Sequence, residues 1–376
     1  MVYKILRVLA NIAIRIFYGK IIVQGLENVP KDGPLLIASN HPNGFLEPII
    51  MACLFPRPLH FMVRGDVFNK KWLRPILLST NQLPIFRFKD GFSALRQNDA
   101  CLKAANDALD DDAAIILFIE GGTKDIKKLR PFQKGLSRMA HHYMTEGKKN
   151  KDIRVLPVGI NFVAPSKWRS TVFLNVGESI SAKDSFNDDD NPKEGILGLT
   201  KKLYGLIEPM VFHVDDDSKQ DDLNQALSMK VRPIEQKFWP IVRKGDEWSS
   251  FKEVSNKINN GEKLESKMLP ERSSILSKVF SLLLSPLGII AFVFNLPPLI
   301  AVHKLVKSVL TEKSLVYIAS IYVSGGVGIF VIYTLILFLL GLILGGYWVF
   351  LPLFVVPFLF IGVWWRHYAI RISNSK

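Results

Sequence analysis

Apolar and polar positions alternate in three different ways along the chain. Over the first twenty residues Ile5, Leu6, Leu9, Ile12, Ile16 and Phe17 recur at helical spacing, with Lys4, Arg7, Asn11 and Arg15 on the other side. This predicts an amphipathic helix over 1–20, lying in a membrane interface with its cations toward the headgroups. An ordinary helix packed on a domain would carry the same pattern. Arg7 and Arg15 interrupt the apolar run that a signal peptide needs. From 21 to 215, short apolar runs alternate with helical stretches. Strands are expected at Ile21–Gln24, Leu35–Ser39, His60–Val63, Leu83–Ile85, Ala114–Phe118, Val155–Phe162 and Val172–Val176. Helices are expected at Phe45–Leu54, Lys70–Leu78, Gly91–Leu109, Lys134–Thr145 and Glu194–His213. Strands separated by helices predict the α/β class, with a largely parallel sheet flanked by helices.

Residues 216–273 are polar, and Leu223, Leu227, Val231, Ile234 and Phe238 give an intermittent helical period that predicts a helical arm. The acidic runs Asp188–Asp190 and Asp215–Asp217 read as solvated loops. Residues 274–376 are a hydrophobic region with two or three membrane segments. No Asp, Glu, Lys or Arg occurs from Ser314 to Trp365. A spanning helix needs roughly 20 apolar residues, so this run can cross a bilayer twice. Ile275–Val302, interrupted by Pro286, Pro297 and Pro298, fits one tilted span or a re-entrant dip. Lys304, Lys307 and Lys313 precede the long run, and Arg366, Arg371 and Lys376 follow it. Positive charge favours the cytoplasmic side. We therefore expect a hairpin with both flanks, and the main domain, in the cytoplasm.

Composition narrows the partners. The 376 residues carry 48 Lys and Arg against 34 Asp and Glu, a net charge of +14. Beside membrane segments, this excess points to anionic lipid headgroups and phosphate-bearing substrates. No nucleic-acid-binding motif is present. The two cysteines, Cys53 and Cys101, give neither a disulfide framework nor metal-ligand spacing. No metal or other cofactor is expected. A transporter is disfavoured, because the long run holds no charge to mark a pathway.

The chemistry concentrates at the ends of predicted strands, where open α/β sheets place their ligands. Asn40-His41 follows the strand Leu35–Ser39, and Glu47 stands six residues after His41. A histidine and a carboxylate so placed can act as a base and its orienting partner. By spacing alone a structural histidine is the better reading of the pair. Leu83-Pro84-Ile85-Phe86-Arg87 sets a guanidinium after another strand, suited to phosphate or carboxylate. Phe118-Ile119-Glu120-Gly121-Gly122-Thr123 ends a third with a carboxylate and a glycine turn whose N–H groups suit a polar ligand, with Lys124 beside it. Val155-Leu156-Pro157-Val158-Gly159 supplies a fourth strand end.

This ordered set resembles the membrane-bound glycerolipid acyltransferases, the family of the lysophosphatidic acid and glycerol-3-phosphate acyltransferases. The family's Asn-His motif with a following acid, arginine motif, Phe-Pro-Glu-Gly and proline-containing strand look like Asn40-His41…Glu47, Ile85-Phe86-Arg87, Phe118-Ile119-Glu120-Gly121 and Leu156-Pro157-Val158. The likeness covers roughly 20–215. Three positions depart: Glu47 stands for Asp after one extra residue, Ile119 replaces proline, and Thr123 stands where arginine is frequent. The resemblance implies transfer of a fatty acyl group from acyl-CoA or acyl-carrier protein to a hydroxyl of glycerol-3-phosphate or 1-acyl-glycerol-3-phosphate. His41 would be the base and Glu47 its partner. Asn40, Arg87, Glu120, Gly121, Gly122, Lys124 and Pro157 would serve substrate binding. The departure at 47 keeps two other readings open: an inactive lipid-binding or scaffolding protein of the same fold, or acylation of another lysophospholipid or an aminolipid.

Overall fold

The computed structural model describes residues 2–86, 98–148, 152–186, 191–230, 242–262, 275–311 and 317–374. Its centre is a sheet of nine strands, each a short apolar run between turns. These are β1 (Lys20–Gln24), β2 (Leu35–Ser39), β3 (Leu59–Arg64), β4 (Gln82–Ile85), β5 (Ala114–Phe118), β6 (Arg154–Phe162), β7 (Thr171–Val176), β8 (Ile180–Ser181) and β9 (Val242–Lys244). The order is β4-β3-β5-β2-β6-β7-β1-β9, with β8 paired to β6. Every pairing is parallel except those of β6 with β7 and β8.

Helices cover both faces, which is why β2 and β5 read as unbroken apolar runs. They are α1 (Val2–Phe17), α2 (Leu46–Leu54), α3 (Arg74–Ser79), α4 (Asn98–Asp110), α5 (Gly135–Glu146), α6 (Pro192–Ile207), α7 (Gln220–Lys230) and α8 (Trp248–Asn259). Alternate strand residues serve opposite faces. Leu35 and Ile37 pack with residues of α1 and α2. Leu36 and Ala38 pack with residues of α4, α5 and α6.

Two sequence expectations meet a different arrangement. The stretch read as a polar arm adds a strand, β9, parallel to β1. Its helices bury Leu223, Leu227, Trp248, Val254 and Ile258 against Ile22 and Phe173. The sheet therefore runs on past residue 215. Four of the arm's apolar positions, Leu223, Leu227, Val254 and Ile258, are four apart on their helices, enough for a narrow stripe whose partner lies far away in sequence. In α1, Arg7 does not turn to headgroups. Its Nη2 donates to the carbonyl of Phe55 at 2.7 Å, closing the C-terminal end of α2. Val2, Ile5, Leu6 and Val8 are the exposed apolar residues of this helix. Val231, Ile234 and Phe238 lie outside the described residues.

The hydrophobic region forms α9 (Ile275–Phe294), α10 (Leu296–Val309), α11 (Ile318–Leu344), a 3-10 run (Gly346–Phe354) and α12 (Val355–Asn374). Two segments, Ile318–Leu344 and Gly346–Val363, are long and apolar enough to cross a membrane. Leu282–Phe294 and Leu296–Val309 form a pair bent by 55°, a broken span or a re-entrant loop. Trp365 Nε1 donates to Ser285 Oγ at 3.0 Å, tying α12 to α9.

Candidate active site

Parallel pairing brings the motif-bearing strand ends together. Ser39, the last residue of β2, stands in register with Phe118 of β5 and Val158 of β6. The β2–β5 ladder extends one step further, through the Ile119 N–H and the Ser39 carbonyl. His41 and Glu120 therefore leave the sheet side by side, and the backbone N–H of His41 donates to Glu120 Oε2 at 3.0 Å.

The turn after His41 folds back on itself around Glu47. Its Oε1 accepts the N–H of Gly44 at 3.0 Å and that of Asn43. The same oxygen lies 3.5 Å from His41 Nδ1. The side chain of Glu47 is fully buried and that of His41 is 14% exposed. Among the described residues, neither His41 Nδ1 nor Glu47 Oε2 has a hydrogen-bond partner. Gly44 makes this turn possible, since it sits at φ +84°. The extra residue before Glu47 is thus taken up in the turn, and the longer side chain reaches back. Below, the imidazole stacks on Phe118 with centroids 4.0 Å apart and planes 12° from parallel. With Nδ1 toward Glu47, Nε2 is the nitrogen free to meet a substrate.

The remaining candidates take differing places. Both ends of the buried Asn40 amide are spent on backbone: Nδ2 donates to the Ile160 carbonyl at 2.9 Å, and Oδ1 accepts the Ile160 N–H at 2.8 Å. Asn40 thereby ties β2 to β6. Pro157 lies within β6, opposite Ala38, and its carbonyl accepts the Gly177 N–H at 2.9 Å. The strand continues to Phe162, so Pro157 is a buried mid-strand residue and not a strand end. Gly121, at φ +70°, turns the chain after Glu120, and its N–H is donated to the Phe118 carbonyl at 3.2 Å rather than left vacant. The Gly122 carbonyl accepts from Arg130 Nη2. Lys124 is exposed on the rim of a cleft that Asn40, Pro42, Glu120, Asp125 and Lys127 also line. Phe86 follows β4, but Arg87 lies outside the described residues. Among the described residues, no three His, Cys, Asp or Glu side chains are grouped to hold a metal ion.

Three residues at the site escaped the sequence reading. Arg130 Nη2 meets Glu120 Oε2 at 2.6 Å, and the Arg130 N–H donates to Oε1 at 3.0 Å. Lys127, inside the cleft, is pushed down to about 8 by burial, with Asp125 pulling it back. The fully buried Tyr18 phenol is pushed up by burial and then by the charge of Glu47. The signal available for the first two is the density of cations from Lys124 to Arg130, directly after a strand-end carboxylate. Nothing in the sequence marks Tyr18.

Residues 20–161 match the family model described as Acyltransferase. This segment resembles an acyltransferase domain. The chain is 28% identical over 142 residues to glycerol-3-phosphate O-acyltransferase 2 of Saccharomyces cerevisiae, a match covering 36% of this chain and 18% of the yeast protein. Over 86 residues it is 28% identical to the 1-acyl-sn-glycerol-3-phosphate acyltransferase of Bacillus subtilis, covering 23% of this chain and 43% of that one. The chain thus spans less than half the length of either relative. The crystal structure of the 1-acyl-sn-glycerophosphate (LPA) acyltransferase from Thermotoga maritima superposes with a TM-score of 0.39 at 18% identity, over 54% of this chain and 77% of that one. His41, Glu47, Glu120, Lys127 and Arg130 all fall inside the matched segment, whereas α7, α8 and the candidate membrane spans fall outside it.

Proposed function

We propose that the chain is a membrane-seated O-acyltransferase, moving a fatty acyl group from acyl-CoA or acyl-carrier protein to a hydroxyl of glycerol-3-phosphate or 1-acyl-glycerol-3-phosphate. The observation that carries this reading is the His41–Glu47 pair, held at 3.5 Å on the carboxyl edge of the sheet with Nε2 left for a substrate. The acceptor hydroxyl gives its proton to Nε2 as its oxygen attacks the thioester carbonyl. The C–S bond then breaks, and the departing thiolate takes the proton back. Glu47 keeps the ring in the useful tautomer and offsets the charge of the imidazolium. Proton transfer of this kind contributes about 10²–10⁴-fold. No covalent acyl-enzyme is required.

The acceptor phosphate fits the cationic side of the cleft, where Lys124 and Lys127 stand beside Glu120. Arg87, outside the described residues, is given the same task by the family resemblance alone. Glu120, already engaged by Arg130, shapes the turn that faces the acceptor. A membrane seat suits a product with long acyl chains, because each buried CH₂ is worth about 0.8 kcal/mol and transfer through water would be slow. The acyltransferase domain faces the cytoplasm in this reading, on the charge bias around the hairpin.

The test is acyl transfer in membranes holding the full chain. Radiolabelled acyl-CoA or acyl-carrier protein is supplied with glycerol-3-phosphate or lysophosphatidic acid, and His41→Ala membranes serve as control. Label entering one acceptor with wild type alone is the expected result. Equal label in both preparations, across both donors and both acceptors, would overturn it.

A further inference from the structure

The acyltransferase domain ends long before residue 317, yet the first turn of α11 reaches the His41 turn. Tyr317, immediately before α11, lies on Gly44: a Cβ added there would stand 2.5 Å from Tyr317 Cε1. Thr123 flanks the same point, at 3.1 Å. Ser320 Oγ donates to Asn43 Oδ1 at 3.4 Å, with both residues buried. Asn43 and Gly44 are the two residues whose N–H groups hold Glu47 Oε1. Ala319, beside Ser320, and Val323, one turn further, are buried in the same core as Leu35, Ile37 and Leu46. Tyr322 packs near Phe17, ring centroids 6.1 Å apart. The helix therefore seats the first two turns of the candidate span Ile318–Leu344 in the domain.

We propose that Tyr317 and Ser320 are positioning residues of the active site, holding the Asn43–Gly44 turn and through it Glu47 against His41. Resting on the proposed acyl transfer, this makes the membrane helix part of the catalytic apparatus rather than an anchor alone. The physical reason lies in the turn. Gly44 sits in left-handed backbone with no side chain of its own to fix it, and the Asn43 side chain needs a partner where it is buried. Both requirements are met at the start of α11, by Tyr317 just before it and Ser320 in its first turn. A helix displaced from its seat would free the turn, and the carboxylate would lose the two N–H groups that aim it.

The experiment uses the full chain in phosphatidylcholine nanodiscs containing phosphatidylglycerol. Ser320→Ala, Ser320→Thr, Tyr317→Ala and Tyr317→Phe are compared with wild type, with exposed Ser324→Ala as control. One readout is kcat and KM for acyl transfer. The other needs no turnover: the rate at which diethyl pyrocarbonate modifies His41, followed by peptide mass spectrometry. Losing one buried hydrogen bond predicts about a tenfold fall in kcat for Ser320→Ala. KM should stay near wild type, Ser320→Thr should restore the rate, and His41 should modify faster in Ser320→Ala. Tyr317→Ala should fall likewise and Tyr317→Phe should not, since the ring rather than the hydroxyl covers Gly44. Because Tyr317 is partly exposed, its truncation tests the brace even if Ser320→Ala fails to fold. Wild-type kcat and wild-type His41 labelling in both alanine variants would overturn the proposal. Faster His41 labelling in the variants, with no transfer by wild type to any acceptor, would uphold the brace and overturn the reaction instead.

Discussion

Arg130 Nη2 stands 2.6 Å from Glu120 Oε2, and that same oxygen accepts the backbone N–H of His41 at 3.0 Å. One carboxylate therefore links the cation of the long loop after β5 to the chain that carries His41. Removing one partner of a buried ion pair typically costs about 3–5 kcal/mol, and the partial exposure of Arg130 puts this pair at the low end. Arg130→Ala should lower the unfolding midpoint clearly and reduce transfer. Arg130→Lys should recover little, because the guanidinium also holds the Gly122 carbonyl. Thermal unfolding in detergent, read beside activity, checks both; an unchanged midpoint in Arg130→Ala would sink the argument.

In the proposed mechanism Glu47 supplies both geometry and charge, and two substitutions separate them. Glu47→Gln keeps an oxygen for the Asn43 and Gly44 N–H groups but cannot offset the imidazolium, so kcat should fall by about 10²–10⁴ with little change in KM. Glu47→Asp keeps the charge on a shorter stem and should lose the turn's two N–H bonds. Steady-state kinetics on both variants provide the comparison. A fully active Glu47→Gln enzyme would remove Glu47 from the mechanism.

Lys127 predicts a pH dependence with a definite sign. Burial lowers its folded value to about 8 from an ordinary 10.5. Between those limits the unfolded chain binds more protons, so the contribution of this position to stability rises with pH and is level below 8. Wild type should therefore gain stability relative to Lys127→Met from pH 8 to pH 10. A difference that stays constant over that range in chemical denaturation would contradict the assignment. If the cleft takes the acceptor phosphate, KM for the acceptor should also climb above pH 8 in wild type and less so in Lys127→Arg.

Gly44→Ala should damage the turn in two ways. A residue other than glycine at φ +84° is strained, by about 1 kcal/mol or more. The new Cβ would also meet Tyr317. Adding Tyr317→Ala should relieve the contact but not the backbone strain, so stability should recover only in part. Unfolding midpoints of the single and double variants decide it, and full recovery would show that contact alone matters.

The sequence by itself determined the parts of this protein that depend on local pattern. Alternation of short apolar runs with helical stretches marks the strands from β1 to β7 within a residue or two, because parallel strands covered on both faces must be apolar throughout. The charge-free run from Ser314 to Trp365 marks two membrane-crossing lengths, because hydrocarbon tolerates little else. The strand-end motifs marked His41, Glu47 and Glu120 as neighbours in the making.

Tertiary structure alone decided which of the motif residues face one another and what surrounds them. Asn40 and Pro157 share the motif pattern with His41, yet one is bound to the backbone of Ile160 and the other lies in mid-strand. Arg130, Lys127 and Tyr18 carry no periodic signal, because a single contact made by a loop or a strand entrance leaves no repeat. β9 and the helices around it looked like a separate arm, since their few apolar positions find partners only once β1 and β7 are in place. The link from Ser320 to Asn43 joins residues 277 positions apart in the chain. No local rule can express such a contact, because it exists only after the sheet has formed and the membrane helix has docked against it.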